Sequence, residues 1–271
     1  MLVGVTGSAG FLGQHVVREL EEAGHDVLEW DIGGLYPGEN FIDSFCNATP
    51  DIVVCLGAYS IVSESISKAP AYYANNLGHI LECVEYCDFE RVPIIFASSA
   101  ASNEPSNPYG WSKHMSEQIV RDCCDSWSIL RLYNLVGPGE RHIKETHLLP
   151  NLLDSAILGT VCPIYNGGMD VRDYIDVRDV ARFIRIQVEK HRDISDLKEH
   201  WHVGSGTGMS TQDIINCCLS SHIPVRVDMV EGRDKEPSVL VSPTAIPQEY
   251  SIYETIRQTH ADRLDWRKVC E

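Results

Sequence analysis

The sequence predicts an α/β fold, a doubly wound parallel sheet with a smaller C-terminal lobe. Three observations predict it. Short apolar runs alternate with helix-patterned segments through the first half of the 271 residues, as repeated strand–helix–strand units do. A glycine-rich turn, Thr6-Gly7-Ser8-Ala9-Gly10-Phe11-Leu12-Gly13, joins the first apolar run to the first helical segment. An acidic residue, Asp31, closes the second apolar run.

Leu2–Thr6 is apolar and stops at the glycine turn, so a strand is expected there. From Phe11 to Ala23, the residues Phe11, Leu12, Val16 and Leu20 recur at helical spacing. Val27–Asp31, Asp51–Leu56, Pro93–Ser98 and Ser128–Tyr133 read as four further strands. Two long helical segments, Ala71–Cys87 and Tyr109–Cys124, lie among them. Then the rhythm breaks. Residues 137–146 mix Gly, Pro and charges and read as a loop. His147–Leu158 reads as a helix, Val171–Val177 as a strand and Val180–Glu189 as a helix. The tail holds two turn-rich stretches, Gly204–Ser210 and Gly232–Pro247. The expected division puts 1–136 and about 171–203 in the sheet domain. The lobe takes about 137–170 and 204–271, over the carboxyl edge where doubly wound sheets bind ligands.

Composition narrows the partners. Lys and Arg total 22 against 39 Asp and Glu, a net charge of −17. Such a surface repels phosphate backbones and anionic lipid, so neither nucleic acid nor a membrane is expected as a partner. No stretch reaches the roughly 18 apolar residues of a membrane span. The uncharged first 17 residues lack a basic segment and are interrupted by four glycines, unlike a signal peptide. The ten Cys include the adjacent pairs Cys123–Cys124 and Cys217–Cys218, not the spacing of a disulfide framework. A reduced, cytoplasmic protein is expected. The eleven His form no metal-ligand pattern, and no metal is expected.

The glycine turn has a physical reading. Gly7 permits the tight turn, Gly10 lets backbone approach a pyrophosphate, and Gly13 lets helix and strand pack closely. Backbone N–H groups and the helix dipole then hold the anion. Asp31 can accept hydrogen bonds from both adenosine ribose hydroxyls and would repel a 2′-phosphate. Ile32-Gly33-Gly34 offers no compensating cation. The expected cofactor is NAD rather than NADP. The plainer alternative is a strand–turn–helix corner with no ligand.

Tyr109 and Lys113 stand four residues apart, on one face of a helix. A nearby cation lowers a phenol's pKa and makes it a usable general base. The spacing alone is weak, and a solvated helix face is the alternative. Context strengthens it: Pro108 suits the start of a helix, and the preceding strand ends in Ser98-Ser99. A hydroxyl there would lie near the tyrosine.

These motifs resemble the extended short-chain dehydrogenase/reductase family, and within it the NAD-dependent nucleotide-sugar epimerases and dehydratases, UDP-hexose 4-epimerases above all. The resemblance runs through the glycine turn, Gly24-His25-Asp26-Val27, Leu56-Gly57-Ala58, Tyr72-Tyr73-Ala74-Asn75-Asn76, Ser98-Ser99-Ala100 and Tyr109–Lys113. It continues in Arg131-Leu132-Tyr133-Asn134, Leu148-Leu149-Pro150, Val171-Arg172-Asp173-Tyr174-Ile175, Gly204-Ser205-Gly206 and Arg233. It implies a Rossmann domain with a substrate-binding lobe. It implies contacts to NAD from Gly7, Gly10, Phe11, Leu12, Gly13, Asp31, Asp43, Leu56, Gly57, Ala58, Asn75, Tyr109, Lys113 and Tyr133. Tyr109, Lys113 and Ser99 would be catalytic. Ser99, Asn134, His147, Leu148, Pro163, Tyr165, Arg172 and Arg233 would hold the nucleotide sugar. Asn75 is alternatively a helix cap, and Asp173 and Asp179 read as strand-end and helix-start residues rather than an acid/base pair.

The resemblance implies epimerisation through a transient 4-keto sugar. A reductase of 4-keto nucleotide sugars and a non-catalytic NAD-binding protein are the alternatives. Departures from the pattern are short Asp31–Asp51 and Ser99–Tyr109 segments, Ser60 in place of Lys and His147 in place of Asn. Ser98-Ser99-Ala100 also lacks the Thr-Asp-Glu run of 4,6-dehydratases, which disfavours water elimination. The two long helices imply a homodimer, with Leu77, Ile80, Leu81 and Val84 as an apolar stripe that alternatively packs on its own sheet.

Overall fold

The structure is a computed structural model that describes residues 1–31, 48–140, 147–230 and 239–270. Asp43, Arg233 and Ile32-Gly33-Gly34 lie outside the described residues. The chain divides into two compact units. The first is Met1–Leu132 with Ala181–His202, and the second Tyr133–Val180 with Val203–Glu271.

In chain order the elements begin β1 (Leu2–Thr6), α1 (Phe11–Glu22), β2 (Asp26–Trp30), β3 (Ile52–Cys55), α2 (Val62–Ser67), α3 (Ala69–Glu90) and β4 (Ile94–Ser99). They continue α4 (Pro108–Cys123), β5 (Trp127–Leu132), β6 (Asn134–Val136), α5 (Leu148–Leu158), β7 (Cys162–Ile164) and β8 (Val171–Asp176). Then come α6 (Val177–Asp193), β9 (Lys198–Val203), β10 (Gly208–Ser210), α7 (Thr211–Ser220), β11 (Val227–Met229), β12 (Val239–Leu240) and α8 (Ile252–Cys270).

A six-stranded sheet in the order β2-β1-β3-β4-β5-β9 forms the first unit. The pairs from β2 through β5 are parallel. All of β3 and most of β4 are buried, as Val- and Ile-rich parallel strands covered on both faces require. The chain leaves β1 toward β2 on one side and returns to β3 on the other. Right-handed crossovers therefore place α1 and α3 on opposite faces, and the strand order reverses at β1. Register sets Thr6 opposite both Trp30 and Cys55. The turn after β1 thus lies between Asp31 and Leu56-Gly57. On one face, Ile80, Cys83, Val84, Tyr86 and Cys87 of α3 pack with Val120 of α4 over Val53, Ile94 and Phe96.

Local chemistry explains the helix limits. Asn107 caps α4 by accepting the Gly110 N–H at 2.9 Å, and Pro108 follows at the first position, where its missing N–H costs nothing. Gly24, just beyond α1, takes φ +81°, which favours a glycine. Asn75 lies inside α3, so it is not a helix cap. The apolar stripe divides: Ile80 and Val84 are buried against the parent sheet, whereas Leu81 is half exposed.

The second unit has a sheet ordered β10-β8-β12, with β6 also pairing β8, and a separate parallel pair of β7 and β11. Leu149, Leu152 and Leu153 of α5 pack with Ile214, Ile215 and Cys218 of α7 and Ile256 of α8. Asp173 is fully buried and structural. Its carboxylate accepts N–H groups from Ser205 at 2.8 Å, Gly206 at 2.9 Å and Ser242 at 3.1 Å, tying two loops to β8. Asp179 accepts the Glu249 and Tyr250 N–H groups. No helix of the described residues is long and apolar enough to cross a membrane.

Candidate active site

The glycine turn is shaped by close backbone approach. Gly7 has φ +70°, and a Cβ there would stand 2.7 Å from the Gly57 nitrogen. A Cβ on Gly13 would stand 2.0 Å from the Gly7 oxygen and 2.7 Å from the Ser8 oxygen. Backbone atoms cannot step aside as a flexible side chain can. Gly13→Ala is therefore expected to destabilise the protein by about 2–3 kcal/mol, read as a lower denaturation midpoint at unchanged slope.

No side chain caps α1, and its first turn carries no acid. The amide end of that helix, with Phe11 and Leu12 in the first turn, is an anion site supplied by backbone alone. Asp31 lies beside the turn as expected. Its Oδ2 accepts the Ala9 N–H at 2.9 Å, so the same carboxylate also ties β2 to the turn. On the far side Thr6 Oγ1 accepts the N–H groups of Leu56 at 3.2 Å and Gly57 at 3.3 Å. Asn76, next to Asn75, braces this edge. Its Oδ1 accepts the Tyr59 N–H at 2.8 Å, and its Nδ2 donates to Ser112 Oγ on α4 at 3.0 Å. Asn75 donates to the Asn76 oxygen at 3.0 Å.

The carboxyl end of β4 brings the three expected catalytic residues together. Ser99 is the last strand residue, and its Oγ accepts the Ala101 N–H at 3.2 Å. Tyr109 and Lys113 come from the first two turns of α4 and are 8% and 4% exposed. Burial raises the Tyr109 pKa, and a hydrogen bond with Ser99 opposes it. The expected lowering by Lys113 is not what this geometry gives, because the ammonium is turned to the strand. It donates to the Ala97 carbonyl at 2.7 Å and lies 4.8 Å from the Phe96 ring centre. Burial brings the Lys113 pKa down to about 8, with the charges of Cys55 and Glu117 opposing.

Behind this edge lies a network absent from the sequence expectations. Glu117, one turn after Lys113, is fully buried. Ser98 Oγ and Ser102 Oγ each donate to its Oε1 at 2.6 Å. Arg131 of β5 grips both carboxylate oxygens, Nε at 2.8 Å and Nη2 at 2.7 Å. Burial alone would raise the Glu117 pKa, but Arg131 and the two serines bring it down to about 2. Ser98 and Ser102 bracket Ser99, so this cluster fixes the backbone that aims the Ser99 hydroxyl.

The second unit holds the other expected residues. Tyr133 is buried and donates its N–H to the Val203 carbonyl at 3.2 Å. Asn134 begins β6. His147 precedes α5 and its Nδ1 pairs with buried Glu140 at 2.5 Å, a partner that sequence spacing does not suggest. Leu148 packs on the α5 core. Pro163 is exposed on β7, and Tyr165 follows that strand. Arg172 donates to the Val171 carbonyl at 2.8 Å, and its guanidinium is 4.0 Å from Asp170. A cavity of about 140 Å³ in this unit is lined by Tyr174, Asp176, Ser205, Thr207 and Tyr250 among others, none of them an expected substrate residue.

A dinucleotide-type glycine turn at the switch point of a parallel sheet, with a Ser–Tyr–Lys trio two strands along whose Tyr and Lys are buried, defines a nicotinamide-cofactor enzyme of the short-chain type. Residues 3–204 match the NAD dependent epimerase/dehydratase family, and the chain belongs to that family. It is 31% identical to a UDP-glucose 4-epimerase of Lactobacillus helveticus, over 89% of this chain and 88% of the relative. The fold is that of a UDP-glucose 4-epimerase from Bifidobacterium longum solved in complex with NAD+ and UDP. The TM-score is 0.83, with 25% identity and 98% of each chain covered. An NAD dependent NDP-hexosamine 5,6-dehydratase, 20% identical with a TM-score of 0.81 over 97% of this chain and 98% of that one, shares the fold alone.

Proposed function

We propose that the chain is an NAD-dependent 4-epimerase of a UDP-hexose, interconverting UDP-glucose and UDP-galactose. The carrying observation is Tyr109, buried at the start of α4 with Lys113 one turn further along, beside the strand end that Ser99 closes, in a chain whose relatives bear that name. The cofactor's fit rests on the uncapped helix end and on Gly7 and Gly13, which leave no room for a Cβ. Gly7, Gly10, Phe11, Leu12 and Gly13 would hold its pyrophosphate. Asp31 would hold the adenosine ribose, with Leu56, Gly57, Ala58, Asn75 and Tyr133 along its length. Lys113 would hold the nicotinamide ribose. Bound NAD+ supplies a hydride acceptor that can return the hydride. The residues do the proton chemistry. Tyr109 would act as the general base, removing the proton of the carbon-4 hydroxyl as that carbon loses hydride and giving a 4-keto sugar. Ser99 hydrogen-bonds the reacting oxygen and aligns it. Tyr109 returns the proton after the keto sugar presents its other face. Asn134, His147, Leu148, Pro163, Tyr165 and Arg172 would contact the sugar and its diphosphate, Arg172 through charge.

Because the hydride returns, UDP-glucose turnover should leave NADH absorbance unchanged. Steady NADH loss with a 4-keto UDP-sugar, and no change in UDP-glucose, would instead establish the reductase.

The proposed enzyme is a homodimer through α3 and α4. Tyr73 and Leu77 of α3 and Trp111 and Met115 of α4 line an open apolar groove of about 480 Å³, and Trp111 is 46% exposed. Large apolar side chains grouped at the surface mark association sites. Light scattering at micromolar concentration should give a dimer mass, and Trp111→Asp a monomer with its fold intact. A monomeric parent protein would refute the dimer. Its proposed place is the cytosol, where its thiols stay reduced.

A further inference from the structure

The first unit buries a second group of reactive side chains that the proposed chemistry leaves unused. Cys55 closes β3, and His79 and Cys83 stand one turn apart on α3. Their ligand atoms, two Sγ and an imidazole nitrogen, all lie within 4.8 Å of one another. Each residue is buried, Cys55 at 1% exposure, His79 at 6% and Cys83 at 0%. Cys83 Sγ is 3.6 Å from His79 Nε2. The Trp30 ring stacks flat on the imidazole at 5.2 Å between centres and fixes its plane. The hydrogen bonds around Thr6 assign the ring's protonation. The N–H groups of Leu56 and Gly57 fill the two lone pairs of Thr6 Oγ1. Its hydrogen is left for His79 Nε2 at 2.9 Å, so Nε2 carries a lone pair. A neutral imidazole unprotonated at Nε2 is the form that binds metals, the ion taking the place of the Thr6 hydrogen.

We propose that Cys55, His79 and Cys83 form a binding site for a thiophilic cation of the Zn²⁺ class. Two thiolates and an imidazole favour such ions over Mg²⁺ or Ca²⁺, which take oxygen ligands. Zinc bonds of about 2.3 Å to sulfur and about 2.0 Å to nitrogen set tetrahedral ligands about 3.5–3.8 Å apart. Cys83 and His79 already stand at that separation. Cys55 Sγ lies within the same 4.8 Å span. Binding releases the two thiol protons, and the thiolates balance the ion's charge in the interior.

The test uses the whole protein, cleared of metal with a chelator and then incubated with Zn²⁺ alone. Free ion is removed by desalting and bound zinc counted by elemental mass spectrometry. One ion per chain is expected in the parent protein and in Cys123→Ala, an exposed thiol outside the cluster. Cys55→Ala and Cys83→Ala should each lose it. X-ray absorption on the zinc-loaded parent protein keeps the test independent of how the variants fold. Two sulfurs at about 2.3 Å and a nitrogen at about 2.0 Å are expected. No retained zinc, zinc retained by folded Cys55→Ala and Cys83→Ala, or zinc surrounded by oxygen and nitrogen only, an adventitious ion only, would each overturn the site.

Discussion

Tyr109→Phe is expected to lower the rate of UDP-glucose epimerisation by about 10³-fold, the middle of the range for losing a positioned acid–base group. The substitution removes one oxygen from a side chain that is 8% exposed and keeps the ring's volume. Fold and cofactor retention should therefore survive, and bound NAD+ in the purified variant should match the parent protein. The loss belongs to kcat rather than KM, because the phenol acts on the proton in flight rather than on substrate affinity. Burial raises the Tyr109 pKa in the protein alone, and the Ser99 hydrogen bond opposes it. Ser99→Ala should consequently also reduce kcat. Activity of Tyr109→Phe within tenfold of the parent protein would remove Tyr109 from its assigned role.

Glu117→Gln is expected to destabilise the protein by about 3–5 kcal/mol, the cost of leaving a buried charge without its partner. Arg131 turns Nε and Nη2 to this carboxylate and Nη1 to Asn103, and is only 12% exposed, so water cannot readily replace the lost anion. The pH dependence has a definite sign. The folded pKa of about 2 lies below the ordinary value of about 4.3. The carboxylate's stabilisation is complete above about pH 4.3 and is lost as pH falls through about 2. That stabilisation is about 3 kcal/mol at neutral pH. Denaturant melts between neutrality and pH 3 should show a shallower acid decline in Glu117→Gln than in the parent protein. Equal stability of variant and parent at neutral pH would show that the cluster carries no weight.

The sheet was legible because it is built from periodic pieces. Leu2–Thr6, the glycine turn and Asp31 stand in the predicted arrangement, and register places Thr6 between the two strands that flank the turn. The tail was less legible for a physical reason. Strands β6, β7, β10 and β11 have three residues each and β12 two, too few for any period. The helices α7 and α8 did leave signals. Ser210 and Asp213 cap α7 reciprocally, and Ser251 and Glu254 do the same for α8. Both S-x-x-acid patterns stand in the sequence as short local signals. Ser99, Tyr109 and Lys113 are legible because two of them share a helix face, a strand ending in serines precedes them, and the surrounding motifs resemble a known family. Glu117 also follows at the next turn of that face, but its partner Arg131 comes from another element, which spacing cannot show. The same holds for Cys55. His79 and Cys83 are four residues apart, whereas Cys55 reaches them only through the pairing of β3 beneath α3.

The most direct measurement of the central claim is proton NMR of the protein incubated with NAD+ and UDP-galactose, following the anomeric and carbon-4 signals. Growth of UDP-glucose signals to a fixed equilibrium ratio is expected with no accumulation of NADH, and the same ratio when the reaction starts from UDP-glucose. Unchanged spectra from both sugars, with NAD+ bound, would contradict it.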